Sequence, residues 1–293
     1  MGRDLVDDFP AARLVFEEAD ERLGFALSTL CFEGPADELA LTQNAQPGIL
    51  ATSIATCRVL EEIAGLEASV VAGHSLGEWS ALVAAGALDL GDALRGVRER
   101  GRLMQDAVPR GIGAMAAVIG LDTATLAALC EEAAGDEVLA PANLNGAGQI
   151  VVAGHAGAVD RLMTLARAQN ARVQRLDVSA PFHCPLMRPV ADGLGRFLAG
   201  VTIREPRIPV VSSVEPRTVG GPADITALLV SQVTAPVRWE ETMQAVHGFA
   251  PARALEVGPG RVLTGLARRL WRDVPCEPVG DVASVQRVRE LLQ

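Results

Sequence analysis

The chain has no lysine and no tyrosine, so all 26 of its basic residues are arginines. We take this absence as a compositional bias without functional meaning. Basic residues are also outnumbered, because 36 acidic residues give a formal net charge of −10 at pH 7. This charge argues against nucleic acid as the main partner, and no block of arginines indicates binding to a membrane surface.

Cysteine and histidine are scarce. The five cysteines are odd in number and form no C-x-x-C pair, which is a poor disulfide framework and fits a reducing cytoplasm. The four histidines show no ligand spacing, so we expect no metal and no cofactor. No apolar run approaches the ~18 residues that cross a bilayer. The first residues do not form the apolar core of a signal peptide, so we expect a cytoplasmic protein.

What the sequence does contain is an alternation of short apolar runs with stretches of helical periodicity. With 293 residues and 49% apolar composition, it predicts a globular α/β protein with a mainly parallel sheet. The main-body predictions are helices at residues 14–23, 49–63 (beginning near Gln46-Pro47) and 78–85, with a short strand at 68–72.

The segment from about residue 113 to 178 has a different pattern. It predicts the order βαββαβ, which is the ferredoxin-like arrangement. Its second and third strands, at 138–142 and 150–153, are predicted to be joined through Asn143-Leu144-Asn145-Gly146. We therefore expect a large α/β domain from residues 1–112 and 180–293, interrupted by a subdomain from residues 113–179.

A nucleophile motif lies in the main body. Gly73-His74-Ser75-Leu76-Gly77 matches G-x-S-x-G, and it follows a predicted strand and precedes a predicted helix, as that motif requires. A tight turn there exposes the Ser75 hydroxyl, and the start of the helix presents the N–H of Leu76 to a developing oxyanion. The alternative is a chance glycine-rich turn.

A serine nucleophile needs a base, and His183 is the candidate left by elimination. The alternative is a loop histidine with a structural role only. His74 is adjacent to Ser75 and should point away from it, whereas His183 stands in a proline-constrained loop. No aspartate occupies an evident orienting loop, since Asp177 falls in a predicted strand. A Ser–His dyad oriented by a backbone carbonyl and a full triad therefore both stay open.

One arginine differs from its neighbours on the predicted helix at 90–105. Arg95, Arg98 and Arg102 fall on the polar face, whereas Arg100 falls at the edge of the apolar stripe. Its side chain either reaches out to solvent or is buried and binds an anion. A guanidinium in an apolar pocket is well suited to bind a free carboxylate.

Seven motifs stand in order along nearly the whole chain. They are Gln43-Asn44-Ala45-Gln46-Pro47, Gly73-His74-Ser75-Leu76-Gly77-Glu78, Arg100-Gly101-Arg102-Leu103-Met104-Gln105, Asn143-Leu144-Asn145, Gly148-Gln149-Ile150-Val151-Val152-Ala153-Gly154, Phe182-His183-Cys184-Pro185-Leu186-Met187 and Glu256-Val257-Gly258-Pro259-Gly260. Together they resemble the motifs of the malonyl-CoA:acyl carrier protein transacylases.

This resemblance implies an acyltransferase of fatty acid biosynthesis that moves malonyl from malonyl-CoA to acyl carrier protein without a cofactor. It implies a hydrolase-like parallel-sheet core with an inserted ferredoxin-like subdomain, and we expect a monomer. The roles that it implies are Ser75 as the acylated nucleophile, His183 as general base and acid, Arg100 as the malonyl carboxylate ligand, Leu76 as an oxyanion donor, Gln232 as the residue whose carbonyl orients the histidine, Gln46 as a residue near the nucleophile, and Asn143 and Asn145 as residues near the substrate channel.

The chain departs from the family pattern at its beginning. Members open with an apolar strand and a G-Q-G-S-Q-like segment before a stretch similar to Met1-Gly2-Arg3-Asp4-Leu5. We therefore expect the first strand and the second oxyanion donor to be absent. Either Met1 is an internal methionine of a longer reading frame, which we favour, or the protein is truncated and weakly active. Three alternatives stay open at this stage: an acyltransferase domain of a polyketide synthase, a serine hydrolase such as a thioesterase or lipase, and a non-catalytic binding module.

Overall fold

The computed structural model describes residues 1–109 and 111–292, with the side chain of Leu292 left out. Among these residues the helices are α1 (Arg3–Asp8), α2 (Pro10–Leu23), α3 (Leu27–Glu33), α4 (Ala36–Ala40), α5 (Thr42–Ala64), α6 (Gly77–Ala84), α7 (Leu90–Ala107), α8 (Thr123–Ala134), α9 (Ala156–Ala168), α10 (Arg188–Leu198), α11 (Pro222–Ser231), α12 (Trp239–His247), α13 (Val262–Leu270) and α14 (Val282–Leu292). The strands are β1 (Val71–Ala72), β2 (Gly113–Ile119), β3 (Leu139–Gly146), β4 (Gln149–His155), β5 (Arg172–Arg175), β6 (Val210–Val211), β7 (Ala254–Val257) and β8 (Cys276–Val279).

The main body is built around two short parallel strand pairs. β1 pairs with β6 and β7 pairs with β8, both in parallel. The largest apolar core of the described residues lies here and includes Phe16 from α2, Leu50 from α5 and Leu94 from α7. Parallel pairs covered by helices confirm the prediction of a mixed α/β protein. None of the described helices combines the length and apolarity needed to cross a bilayer.

A separate sheet has four strands, all antiparallel, in the order β3-β4-β2-β5. α8 and α9 pack against it through a separate apolar core that includes Leu126 and Leu162. Asp122 caps the start of α8, because an oxygen of its side chain accepts the N–H of Thr125 at 2.7 Å.

The predicted loop through Asn143-Leu144-Asn145-Gly146 is wrong, because these residues form the second half of β3. The turn to β4 is instead Ala147-Gly148, with φ values of 50° and 72°. Asparagine has low strand propensity, but here the main body supplies a partner. Leu144 N–H donates to the carbonyl of Val237 at 2.8 Å, and Val237 N–H donates to that of Ala142 at 2.9 Å. This tertiary pairing overrides local preference.

The start of α5 also differs from the prediction. The pattern placed it near Gln46-Pro47, because proline is common in the first turn of a helix. The structure has one turn before Pro47, in which the carbonyl of Leu41 accepts the N–H groups of Asn44 and Ala45, each at 2.8 Å. α5 therefore begins at Thr42, and Gln46 lies within the helix.

Candidate active site

Ser75 lies on a sharp turn between β1 and α6. Its backbone φ is 53°, in the left-handed region, and the carbonyls of His74 and Ser75 accept the N–H groups of Gly77 and Glu78 at 3.0 and 3.1 Å. Gly73 makes the turn possible, because a Cβ there would lie 1.8 Å from the carbonyl carbon of Gly77. The strand–turn–helix context that the motif predicts is present.

A chain of hydrogen bonds runs from Ser75 through His183 to Gln232. Ser75 Oγ lies 2.7 Å from His183 Nε2, and His183 Nδ1 lies 2.8 Å from the backbone oxygen of Gln232. A carbonyl can only accept, so Nδ1 carries the proton and Nε2 presents its lone pair to the serine hydroxyl. This is the arrangement of a base poised over a nucleophile.

The surroundings of His183 keep its ring neutral. The side chain is buried, and burial followed by the nearby charge of Arg100 lowers its pKa to about 3. The imidazole is therefore unprotonated across the neutral pH range. A neutral imidazole can take the proton of Ser75, whereas an imidazolium cannot.

The other three histidines have hydrogen-bond partners other than Ser75 Oγ. His74 Nε2 is 3.0 Å from Asn145 Oδ1, His155 Nδ1 accepts the N–H of Val138, and His247 pairs with Asp273 at an exposed position. Since the Gln232 carbonyl occupies His183 Nδ1 and Asp177 is exposed beyond the end of β5, the geometry is that of a carbonyl-oriented dyad.

Arg100 is buried more deeply than its place at the edge of the apolar stripe predicted. Only 2% of it is exposed, because Gly101 lets α7 approach the start of α5 closely; a Cβ on Gly101 would lie 2.6 Å from the carbonyl oxygen of Thr42. Its Nη1 donates to Gln46 Oε1 at 2.8 Å, and its Nη2 donates to Ser75 Oγ and to Gln232 Oε1, each at 3.0 Å. The guanidinium therefore lies directly beside the nucleophile.

Arg100 keeps its charge despite this burial. Desolvation lowers its pKa to about 10, and the nearby Glu78 opposes that shift. A pKa of about 10 leaves the guanidinium cationic at pH 7. A cation able to bind an anion therefore lies beside Ser75, held by neutral oxygen atoms rather than by a direct contact with a carboxylate.

Glu78 was missed by the sequence analysis. It is 1% exposed, and its Oε2 accepts Gln232 Nε2 and Ser213 Oγ at 2.7 Å each, and Ser213 N at 3.2 Å. Burial raises its pKa, while its hydrogen bonds to Ser213 and Gln232 oppose that shift. A signal existed in the sequence, because Glu78 lies one helical turn before the buried Leu82 on α6.

The remaining predicted residues surround this cluster at different distances. Leu76 follows Ser75 at the start of α6, and in the part of the chain that the structure describes its N–H has no protein acceptor. Gln46 contacts Arg100 and, through Nε2, the sulfur of Met104 at 3.7 Å. Asn143 and Asn145 are buried on β3, and Asn145 reaches His74. The described residues hold no cluster of side chains suited to a metal ion.

Comparison with known proteins places this site in a known context. Residues 1–288 match the family described as acyl transferase domain. The chain is 42% identical over 289 residues to the malonyl CoA-acyl carrier protein transacylase of Escherichia coli K12, covering 98% of this chain and 94% of the relative.

Two solved structures have the same fold along the chain. An acyl-carrier-protein S-malonyltransferase from Bartonella henselae superposes with a TM-score of 0.96 at 44% identity, covering 100% of this chain and 94% of that one. The second structure is that of a type II polyketide synthase acyl carrier protein in complex with its malonyl-transacylase. A chain of this complex matches with a TM-score of 0.96 at 42% identity, covering 99% of this chain and 93% of that one.

Proposed function

Because this chain belongs to the acyl transferase domain family, we propose that it transfers a malonyl group from malonyl-CoA to the phosphopantetheine thiol of an acyl carrier protein in fatty acid biosynthesis. The observation that carries this proposal is the juxtaposition of Ser75, His183 and Arg100. The nucleophile oxygen, Ser75 Oγ, lies 2.7 Å from its base and 3.0 Å from a buried cation. Such a site combines acyl transfer with recognition of an acyl group that carries its own negative charge.

The first half-reaction uses the Ser75–His183 pair. Nε2 of His183 takes the hydroxyl proton while Ser75 Oγ attacks the thioester carbon of malonyl-CoA. The oxyanion that forms is stabilised by the N–H of Leu76 at the start of α6. The protonated His183 then gives its proton to the sulfur of CoA, which leaves, and malonyl-Ser75 remains.

Arg100 explains the choice of malonyl. In malonyl-Ser75 a single methylene separates the acyl carbon from the free carboxylate, so that carboxylate stays close to Oγ. Arg100 Nη2 already lies 3.0 Å from Oγ. A guanidinium can bind this carboxylate through two hydrogen bonds, which an acetyl group cannot accept.

The second half-reaction reverses the first with a different thiol. The phosphopantetheine thiol of the carrier protein gives its proton to His183 and attacks malonyl-Ser75, and Ser75 regains its proton. One thioester is exchanged for another, so no cofactor or metal is required for energy. The partner is inferred from the relatives, one of which is solved in complex with an acyl carrier protein.

The finer architecture is part of the same proposal. The strand order β3-β4-β2-β5 with α8 and α9 supports a ferredoxin-like subdomain at residues 113–179, inserted into a hydrolase-like domain of residues 1–112 and 180–293. Five unpaired cysteines support a cytoplasmic location. We infer that the enzyme acts as a monomer.

The test is the mass of the intact protein after mixing with malonyl-CoA. The protein should gain one malonyl group, holo acyl carrier protein should remove it, and Ser75→Ala should abolish it. Ser80→Ala is the matched control, because the Ser80 hydroxyl lies on α6, which follows the turn that carries Ser75, and has no hydrogen-bond partner among the described residues.

Two results would contradict the proposal. A malonyl adduct that persists in Ser75→Ala would remove Ser75 from its role. Release of free malonate in the absence of any thiol acceptor, at the rate of transfer, would identify a hydrolase instead.

A further inference from the structure

A buried relay of three side chains connects the cation of the site to an acid that the proposed mechanism does not use. Gln232 lies in the middle of it. Its Oε1 accepts from Arg100 Nη2 at 3.0 Å, and its Nε2 donates to Glu78 Oε2 at 2.7 Å. Arg100, Gln232 and Glu78 are all buried.

We propose that Glu78 is a positioning residue for malonyl recognition, acting through the side-chain amide of Gln232 on the guanidinium of Arg100. This inference rests on the proposed function of the site. The Glu78 side chain accepts from Ser213 and Gln232 and hydrogen-bonds to neither Ser75 Oγ nor the His183 ring, so it would have no part in the bond-making steps. Its effect is on which acyl group the site prefers.

The reason lies in the two ends of an amide. With its present orientation, Gln232 offers an acceptor to Arg100 and a donor to Glu78. If the amide turned over, its NH₂ would face the Arg100 NH₂ and its oxygen would face the Glu78 carboxyl and the backbone oxygen of Ser75, which Nε2 contacts at 3.2 Å. Glu78 is the closer of these two acceptors, so it opposes this rotation more strongly.

The orientation of the amide matters because Arg100 has few acceptors. Gln46 Oε1 and Gln232 Oε1 are the side-chain oxygens other than that of Ser75 which hold its guanidinium in the described residues. If Gln232 Oε1 is withdrawn, one side of the guanidinium is released beside Ser75. A malonyl carboxylate would then meet a cation that is no longer fixed in place.

The backbone of Gln232 is held separately from its side chain. Its N–H donates to the carbonyl of Leu228 at 2.9 Å at the end of α11, and its own carbonyl orients His183. Loss of the Glu78 contact should therefore disturb Arg100 while leaving the Ser75–His183 pair in place. This separation distinguishes positioning of Arg100 from general damage to the site.

Two substitutions test the length of the Glu78 side chain and its carboxyl group separately. Glu78→Asp keeps a carboxyl group but shortens the side chain by one methylene, so it withdraws the acceptor from Gln232. Glu78→Gln keeps an oxygen at the same distance and replaces the carboxyl group by a neutral amide. Glu17→Asp makes the first change at an exposed position of α2 and is the control.

The measurement is the ratio of the rates at which malonyl-CoA and acetyl-CoA acylate Ser75, followed by intact mass. We expect Glu78→Asp to lower the ratio roughly tenfold and Glu78→Gln to lower it by less than about threefold, the scale of a lost charged hydrogen bond against a weakened one. The pH profile with acetyl-CoA should stay that of the wild type. Equal losses for both substrates, an unchanged ratio, or a larger effect of Glu78→Gln than of Glu78→Asp would overturn the inference.

If Glu78→Asp does not fold, Gln232→Leu replaces it. This variant should lower the ratio by a similar factor, and adding Glu78→Gln to it should lower the ratio no further. A further loss would show that Glu78 acts independently of Gln232 and would overturn the inference. Absence of a malonyl adduct on the wild type would instead be a failure of the proposed function.

Discussion

Arg100 and Arg102 lie two residues apart on α7 and have opposite surroundings. Arg102 has a side chain that is 50% exposed, and it binds Glu99 Oε1 at 2.7 Å and Asp106 Oδ2 at 2.9 Å. Arg100 is 2% exposed and binds the oxygens of two glutamines and a serine. Carboxylates raise the pKa of Arg102, whereas burial lowers that of Arg100 to about 10.

The difference shows what each cation is available for. Two carboxylates already bind Arg102, so it has little left to offer a ligand. Arg100 is buried without a carboxylate in direct contact, and burying a charge in this way destabilises the protein. An arriving anion reduces that cost. A substrate carboxylate is therefore the group that Arg100 is best suited to bind.

The largest expected effect is that of removing the Arg100 side chain. Arg100→Ala should lower the kcat/KM for malonyl-CoA relative to that for acetyl-CoA by roughly ten- to hundred-fold, because a charged hydrogen bond in a buried site typically contributes about 1.5–3 kcal/mol. Arg102→Ala should leave the ratio unchanged. Initial rates of Ser75 acylation with both substrates measure it, and equal losses for the two substrates would exclude the carboxylate-binding role.

Arg100→Lys asks whether charge alone is sufficient. Lysine keeps the cation but lacks the planar pair of donors that fits both Gln232 and a carboxylate. We expect an intermediate loss of malonyl preference, about tenfold, which is near the lower end of the effect of removing the hydrogen bonds entirely. The same acylation rates are measured. Wild-type preference in Arg100→Lys would mean that the geometry of the guanidinium does not matter.

A third prediction uses the effect of Arg100 on its neighbour. Arg100 lowers the pKa of His183, after burial, to about 3, so acylation should fall only as pH drops toward that value and the base becomes protonated. Without the positive charge, as in Arg100→Met, the pKa of His183 should rise, and the acid limb of kcat/KM for acetyl-CoA should move upward by roughly one pH unit. Arg102→Ala should not move it. A limb that stays in place or moves downward would contradict this electrostatic coupling.

The smallest expected effect is on stability at Arg102. Exposed ion pairs contribute little, so Arg102→Ala should lower the free energy of unfolding by no more than about 1 kcal/mol, and less at high salt. Urea unfolding at low and high ionic strength measures both. A loss well above about 2 kcal/mol would mean that the ion pairs of Arg102 stabilise the protein as strongly as a buried network of charges does.

Local sequence patterns predicted those parts of the candidate site that depend on the Ser75 turn and on residue type. The G-x-S-x-G turn places Ser75, elimination among four histidines leaves His183, and the position of Arg100 on the helical wheel sets it apart from Arg102. The structure brings these three side chains together. Their catalytic roles stay predictions until the substitutions are made.

Long-range partners could not be predicted from the same patterns. The second half of β3 forms because Val237 pairs with it, and the depth of Arg100 depends on the contact of Gly101 with the start of α5. Glu78 was missed because an acidic residue at a helix start is usually a solvated one. Only the fold shows that Ser213 and Gln232 donate to it in the interior.

The left-handed backbone of Ser75 has a consequence for the evolution and engineering of this protein. A non-glycine residue at a φ of 53° destabilises the fold by about 1–2 kcal/mol, since the same turn made by glycine carries no such strain. Serine at this position is thus unfavourable for folding, whereas the proposed mechanism requires it for acylation. A selection for heat resistance alone would favour glycine at this position, and the selected proteins would be more stable but, if the proposed mechanism holds, unable to form the acyl-serine.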